Sequence, residues 1–356
     1  MRDSEELLRL VHTAMVGAGV DYEAIYAELE YTADTLAEPE HRTRHEIQKW
    51  FWATAERVMG DTDIGLTLCP YLPAFRGNAM EYIFLSSPTQ ADGLNAVLDY
   101  RRLVSDAFHM DLVREPGGNR IVLVGTTNDA PALRHSEICF CYGFIKTMRC
   151  VTNTQFEPSA VTLRAPARLE RAEYEDVFAC PVAFDGAESE IWVDDAVLDA
   201  PSPHYSPAML RTHRALAQSQ LDDIRRQDLI DDIRLCLFQA FASGDSENGG
   251  ATLDAIADEL STSSRRLRFE LGEAGITFRE IVRRTRFAVA RRLLARTDES
   301  IDQIAFHAGF SQRSAFCRAF GEWTGMSPTC YRERHRVPSQ QRRTVQQVLQ
   351  SLARAA

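Results

Sequence analysis

The sequence predicts a two-part chain: an α+β N-terminal domain over residues 1–242, a linker at 243–250, and an all-α domain over 251–335 in which two helix-turn-helix motifs are joined by a linker helix. Three observations carry this. Strand-like alternation is confined to the first 200 residues, a helical motif recurs at an offset of 48 residues near the C-terminus, and charge is divided sharply between the two parts.

At 356 residues the chain has room for two or three domains of about 150 residues each. Its 45% hydrophobic and 26% charged residues are those of an ordinary globular protein. There is no apolar run of about 18 residues, and the N-terminus MRDSEELLRL is acidic, so neither a membrane span nor a signal peptide is expected and a cytoplasmic location is. Eight cysteines (69, 139, 141, 150, 180, 236, 317 and 330) form no CxxC pair, which argues for free thiols and against zinc. Redox sensing by Cys139 and Cys141 is the alternative. No cofactor-binding motif is present.

Net charge of −11 argues against nucleic acid, yet its distribution along the chain points the other way. Residues 246–356 hold 18 Arg, no Lys and 12 acidic residues, a net of +6, which leaves −17 on the remainder. A basic C-terminal module follows an acidic one.

In chain order, residues 4–17 and 22–30 read as helices, the first amphipathic through Leu7, Leu8, Val11 and Met15. A third, 40–59, has Ile47, Trp50, Phe51, Thr54 and Val58 on its inner face. His41 and His45 stand at the i, i+4 spacing of a metal pair, but no third ligand is near, so a solvated first turn is the better expectation. LSSPT at 85–89 is a break, followed by a helix to about 105. AFHMDLVRE and NRIVLVGTT alternate as strands around Gly117 and Gly118, a β-hairpin. An apolar helix at 131–150, a strand at 160–164, a helix at 171–179 and short strands at 181–185 and 190–193 complete the α+β part.

Residues 206–242 read as one helix with Leu216, Leu221, Ile224, Leu229, Ile233 and Leu237 on an apolar stripe. That stripe suits burial in its own domain or against a second subunit. ASGDSENGG, 242–250, is small, polar and glycine-rich, which places the domain boundary there.

Beyond it, Ile301, Ile304, Ala305 and Ala308 form a short amphipathic helix that ends on Gly309, a residue suited to the positive φ of a tight turn. Ser311 is expected to cap the next helix, which buries Phe316, Ala319 and Phe320 and turns Arg313, Ser314, Cys317 and Arg318 outward. Two arginines and a serine suit a DNA groove. A helical hairpin with a solvated basic face has the same local pattern.

The repeat separates these readings. Leu253, Asp254, Ile256 and Ala257 align with Ile301, Asp302, Ile304 and Ala305; Ser261 falls on Gly309 and Ser263 on Ser311. After a one-residue slip Leu267 and Leu271 match Phe316 and Phe320, leaving Ser264, Arg265, Arg268 and Phe269 facing outward. Between the copies, 278–296 is one helix of 19 residues, about 28 Å at ~1.5 Å per residue. Phe278, Ile281, Val282, Val289 and Leu293 form its buried stripe, and seven arginines decorate the rest. Such a spacer suits two recognition helices about one DNA turn apart, ~34 Å.

Residues 250–335 resemble the paired helix-turn-helix domain of AraC/XylS transcription regulators, through Ile304, Ala305, Gly309, Phe310, Ser311, Phe316, Arg318, Phe320, Gly325, Ser327, Pro328, Tyr331 and Arg332. LSSPT and the stretch FACPVAFDGAESEIWVDDAVLDAP, 178–201, resemble the ligand-binding domain of the subgroup typified by the ornithine-utilisation and VirS regulators. The resemblance implies a one-component regulator of promoters: the acidic domain senses a small-molecule effector or dimerises, and the basic domain reads promoter DNA and contacts RNA polymerase. The apolar stripe at 216–237 and the family's use of paired sites lead to the expectation of a homodimer. An activator is the working expectation, with repression left open because the sign depends on where the operator lies relative to the polymerase site. The resemblance puts Ser264, Arg265 and Arg268 in one major groove and Arg313, Ser314, Cys317 and Arg318 in the next. Phe269 departs from the basic residue more usual there; packing on the linker helix is preferred over contact with a thymine methyl.

The tail from 332, with five arginines in RERHRVPSQQRR, is open between a phosphate-contacting arm and a solvated tail. His109, His135, Cys139 and Cys141 raise the question of an enzyme, but no nucleophile elbow, phosphate loop or HExxH spacing accompanies them. No residues of an effector pocket are identifiable from the sequence. An architectural DNA binder that senses nothing is the other alternative.

Overall fold

The computed structural model describes residues 2–29, 42–125, 130–153, 156–243, 251–338 and 342–349. They fall into two compact units, Met1–Leu221 and Asp222–Ala356.

The N-terminal unit begins with strand β1 (Arg2–Ser4) and helix α1 (Glu5–Ala18). Ser4 caps α1 by accepting from the Glu6 N–H, and Gly19 ends it in the left-handed region at φ +70°. Helix α2 (Tyr22–Leu29) precedes strand β2 (Arg42–Arg44), which pairs antiparallel with β1. Helix α3 (Glu46–Met59) therefore starts later than the expected residue 40. His45 is not in a solvated turn: it is buried and donates from Nδ1 to Asp3 Oδ2 at 2.7 Å, because the β1–β2 pairing draws it inward. His41 lies outside the described residues.

Helices α4 (Ile64–Leu68), α5 (Ala79–Leu85) and α6 (Gln90–Leu98) follow. Neither α4 nor α5 was expected, and the helix expected to reach 105 stops at Leu98, with a 3-10 turn at Arg101–Leu103. The hairpin forms as read, β3 (Phe108–Glu115) with β4 (Gly118–Gly125). Helix α7 (Ala130–Val151), strand β5 (Pro158–Thr162), helix α8 (Arg171–Phe178), strands β6 (Val182–Ala183) and β7 (Ser189–Val193), and helix α9 (Asp195–Leu198) complete the α+β part.

The strand order is β3-β4-β7-β5-β6, antiparallel except for the β5–β6 pair. Alternation places Ile121 and Leu123 of β4 and Ile191 and Val193 of β7 on the core face. Against them α7 buries Ile138, Cys141, Ile145 and Met148, and it packs on α3, α4 and β7. One expected core residue is misplaced. Trp50 is 56% exposed, while its neighbour Trp52 is buried and donates from Nε1 to Ser136 Oγ at 2.6 Å. A buried ionic clasp also ties this unit together: Arg134 of α7 meets Asp63 through Nη2 at 2.8 Å, and Tyr174 of α8 donates to the same carboxylate.

Helix α10 (Pro207–Ser243) contains the division between the units. Its Ile233, Leu237, Phe238 and Phe241 belong to the core of the C-terminal unit, so the division lies ahead of the linker expected at 243–250. Most of the glycine-rich stretch, 244–250, lies outside the described residues; the apolar side chains before it already belong to the module after it.

The C-terminal unit continues with α11 (Leu253–Glu259), α12 (Ser264–Glu273), α13 (Phe278–Arg296), α14 (Ile301–His307), α15 (Arg313–Thr324) and α16 (Pro328–His335). The following residues are neither a solvated tail nor a free arm where described. The Val337 N–H donates to Ala295 O at 3.0 Å and the Arg343 N–H to Arg296 O at 2.8 Å. Arg336 and Arg342 pair with Asp298, and Val348 and Leu349 are buried in the core. No helix among the described residues is long and apolar enough to cross a membrane.

Candidate DNA interface and internal cavity

Two copies of one local design build the C-terminal unit. In the first, Thr252 caps α11 by accepting from the Ala255 N–H, the chain turns at Ser261 with φ +52°, and Ser263 caps α12 by accepting from the Arg266 N–H. In the second, Ser300 and Gln303 form a reciprocal capping box on α14, and the chain turns at Gly309 with φ +76°. Here the cap differs from the expected Ser311. Helix α15 starts at Arg313 with Gln312 at its cap and no side-chain bond, since the second turn is one residue longer than the first.

The two turn residues are under different pressures. A Cβ at Gly309 would stand 2.7 Å from a ring carbon of Phe241, so both backbone and space require glycine. Ser261 is exposed and carries its side chain outward.

Leu267 and Leu271 anchor α12, and Phe316 and Phe320 anchor α15; all four are buried. Helical phase then turns Arg265, Arg268 and Phe269 of α12, and Arg313, Ser314 and Arg318 of α15, to the exposed side. Ser264, Cys317 and Ala319 are half-buried, Cys317 resting against the core.

Phe269 corrects the preferred expectation: it is 68% exposed and does not pack on the linker helix. It sits two residues past Leu267, about 200° around the helix, so the position that anchors α12 forces Phe269 outward. Arg313 shares an exposed pair with Asp302 at 3.1 Å. Among the described residues Arg265, Arg268 and Arg318 have no ion-pair partner.

Helix α13 has the expected bounds and length, 19 residues. Glu280 in its first turn takes hydrogen bonds from Arg283 and Arg284, which lower its pKa to about 2. Arg286, whose burial lowers its pKa, stacks 4.8 Å from the Phe310 ring and 6.0 Å from that of Phe241. A cation is thus wedged between the spacer, the second turn and α10.

The N-terminal unit holds a partly open cavity of about 220 Å³ bounded by β1, α1, α3, α5, α6, β3 and α7. Leu8, Val11, Phe51, Phe84, Phe108 and Phe144 are among the apolar side chains of its wall. Its polar groups are joined to one another: Ser105, Gln48 and His45 donate to Asp3, Trp52 donates to Ser136, and Ser136 to Gln48 Oε1. No effector pocket is identifiable from sequence, because its residues come from separate elements; His45 and Cys139 stand out there only as metal and redox candidates.

The cysteines are free thiols. Cys69 and Cys139 both point at the Gly65 carbonyl, and burial pushes the Cys69 and Cys141 thiols well up, which disfavours the reactive thiolate. His135 is likewise engaged: its Nδ1 accepts from the Gly65 N–H at 3.2 Å while Nε2 meets Glu56 at 2.7 Å, and burial lowers its pKa. His109 lies on β3 beside Asp111, 3.0 Å away, and forms no site with the other three.

Comparison with known proteins agrees with both units. Residues 19–202 match the model of the arabinose-binding domain of AraC transcription regulators, N-terminal, and residues 256–334 that of a helix-turn-helix domain. The chain is 24% identical over 320 residues to the ornithine utilization regulator of Pseudomonas aeruginosa, covering 88% of this chain and 91% of that protein. It is 29% identical over 164 residues to the transcriptional regulator VirS of Mycobacterium tuberculosis, 45% of this chain and 46% of that protein. Over 81 residues it is 36% identical to the transcriptional activator RhaS of Escherichia coli, 22% of this chain and 29% of that protein.

Proposed function

The chain belongs to the AraC family of transcription regulators, and from that premise we propose that it reads promoter DNA through α12 and α15, set in successive major grooves, under the control of a small-molecule effector held in the N-terminal cavity. The observation that carries this reading is the paired design itself: two helices anchored alike, each with an exposed arginine face, on a spacer of 19 residues, about 28 Å.

Roles follow from exposure and charge. Arg318 and Arg268, exposed and without an ion pair among the described residues, offer two-pronged donors to guanine edges. Arg313 contributes after exchanging Asp302 for DNA, a low barrier because exposed pairs are worth about 0–1 kcal/mol. Arg265, Ser264 and Ser314 contact phosphates or base edges at the groove margins, and Cys317 offers a small contact at its half-buried position. Phe269 meets a thymine methyl, the role that its exposure supports.

The family and the RhaS likeness support promoter activation through contact with RNA polymerase, and the exposed Met209 and Leu216 on α10 support a homodimer. Mobility shift of the regulator's own promoter fragment tests the reading. Arg318→Ala weakens specific binding by about 1–3 kcal/mol while leaving random-sequence binding nearly unchanged. Equal losses on both DNAs would demote Arg318 to a phosphate contact, and no specific complex at all would favour an architectural role.

A further inference from the structure

The wall of the cavity says what class of molecule it accommodates. A pentose carries a hydroxyl on almost every carbon, and each one buried here needs a partner. Yet Asp3, Gln48, Ser105 and Ser136 are committed to one another, and Glu81 to Arg76 and the Gly77 N–H. The same saturation disfavours an ammonium group, since both carboxylates of the wall are already engaged. Ser4, Asn78, Thr147 and Cys139, the other polar side chains of the wall, are each bonded to the backbone as well, so the rest of the wall is aromatic and aliphatic surface and one open cation. Arg101, at the wall and exposed, makes a single bond, to the Leu98 carbonyl, and has no carboxylate partner among the described residues.

Gly143 is a second, independent sign. It sits inside α7, where glycine weakens a helix, and no close packing demands it, for a Cβ there would meet nothing within 4 Å. Since Gly143 lines the cavity, the missing side chain is space kept open.

We propose that this cavity takes a monocarboxylate whose apolar body fills it and whose carboxylate pairs with Arg101, an assignment that rests on reading the unit as an effector domain. An apolar cavity of about 150 Å³ takes benzene, so by proportion about 220 Å³ takes an apolar body of about nine carbon atoms.

Calorimetric titration of the full chain with nonanoate, nonan-1-ol, L-arabinose and L-ornithine tests it, with mobility shifts on promoter DNA alongside. Nonanoate binds with one site per chain and about two- to fivefold more tightly than nonan-1-ol, as suits an exposed ion pair. Arg101→Gln removes that difference and leaves alcohol binding intact. Gly143→Leu, whose side chain enters open space, abolishes binding of both while the chain keeps its melting temperature. Saturable binding of arabinose or ornithine in competition, or nonanoate binding indifferent to both substitutions, overturns the ligand class and leaves the effector reading standing. Nonanoate binding as described with no change in DNA affinity overturns the effector reading and leaves the ligand class.

Discussion

Gly309→Ala and Ser261→Gly make a matched pair, because the two residues occupy the same turn in the two copies with φ +76° and +52°. Alanine at 309 adds about 1–2 kcal/mol for a left-handed residue. Its Cβ, 2.7 Å from Phe241, adds an overpacking cost of about 1–3 kcal/mol. Reduced freedom of the unfolded chain returns about 0.4–1 kcal/mol, so the net loss is about 2–4 kcal/mol. At 261 the sign reverses: relief of the left-handed strain, less the added unfolded freedom, gives about 0–1 kcal/mol of stabilisation. Hydrogen exchange of the full chain, read separately over α11–α12 and α14–α15, reports each local opening free energy. Gly309→Ala should collapse protection of 301–324 and leave 253–273 unchanged or less affected. Full protection of 301–324 in that variant would refute the claim that the Phe241 contact fixes the second turn.

Three further outcomes are expected. Phe269→Ala lowers affinity only for sites with thymine at one position of the α12 half-site, by about 1 kcal/mol, as in vitro selection with the variant will show if the exposed ring reads a methyl. His135 is held neutral by burial, its Nδ1 accepting from Gly65 and facing Asp63 and Arg134 while Nε2 faces Glu56. Its folded pKa lies below the unfolded value of about 6.5, so stability of the N-terminal unit declines as pH falls below about 6.5 toward the folded pKa; melting curves between pH 7.5 and pH 5 should lose part of that slope in His135→Gln. Asp298→Ala frees Arg336 and Arg342 with little effect on overall stability, and limited proteolysis should then cut near 338 faster.

How much the sequence disclosed depended on how local the determining contact was. The paired motif was legible because its anchors, Leu267 and Leu271, Phe316 and Phe320, recur at helical spacing beside capping residues. The linker helix was bounded correctly for the same reason. Trp50 reads as inward because it extends the stripe of Ile47, Phe51 and Val58, but the buried face runs through Phe51, Trp52 and Ala55, where Trp52 bonds Ser136 on another helix. The β1–β2 pair, three residues each, was invisible, since Arg42–Arg44 has no strand-like alternation of its own. The phase of Phe269 relative to Leu267 reads as outward in the sequence, and only its preferred packing on the linker helix fails, since the ring stays exposed. The cavity is long-range throughout, and Gly143 alone left a mark in the sequence, a glycine inside an otherwise apolar helix.

Two recognition helices in successive grooves are tested most directly by methylation-interference footprinting of the promoter complex with the wild-type chain, Arg268→Ala and Arg318→Ala. The predicted result is two protected guanine-containing blocks about 10 base pairs apart on one face of the duplex, each variant losing a different block. A single block weakened equally by both substitutions would contradict it.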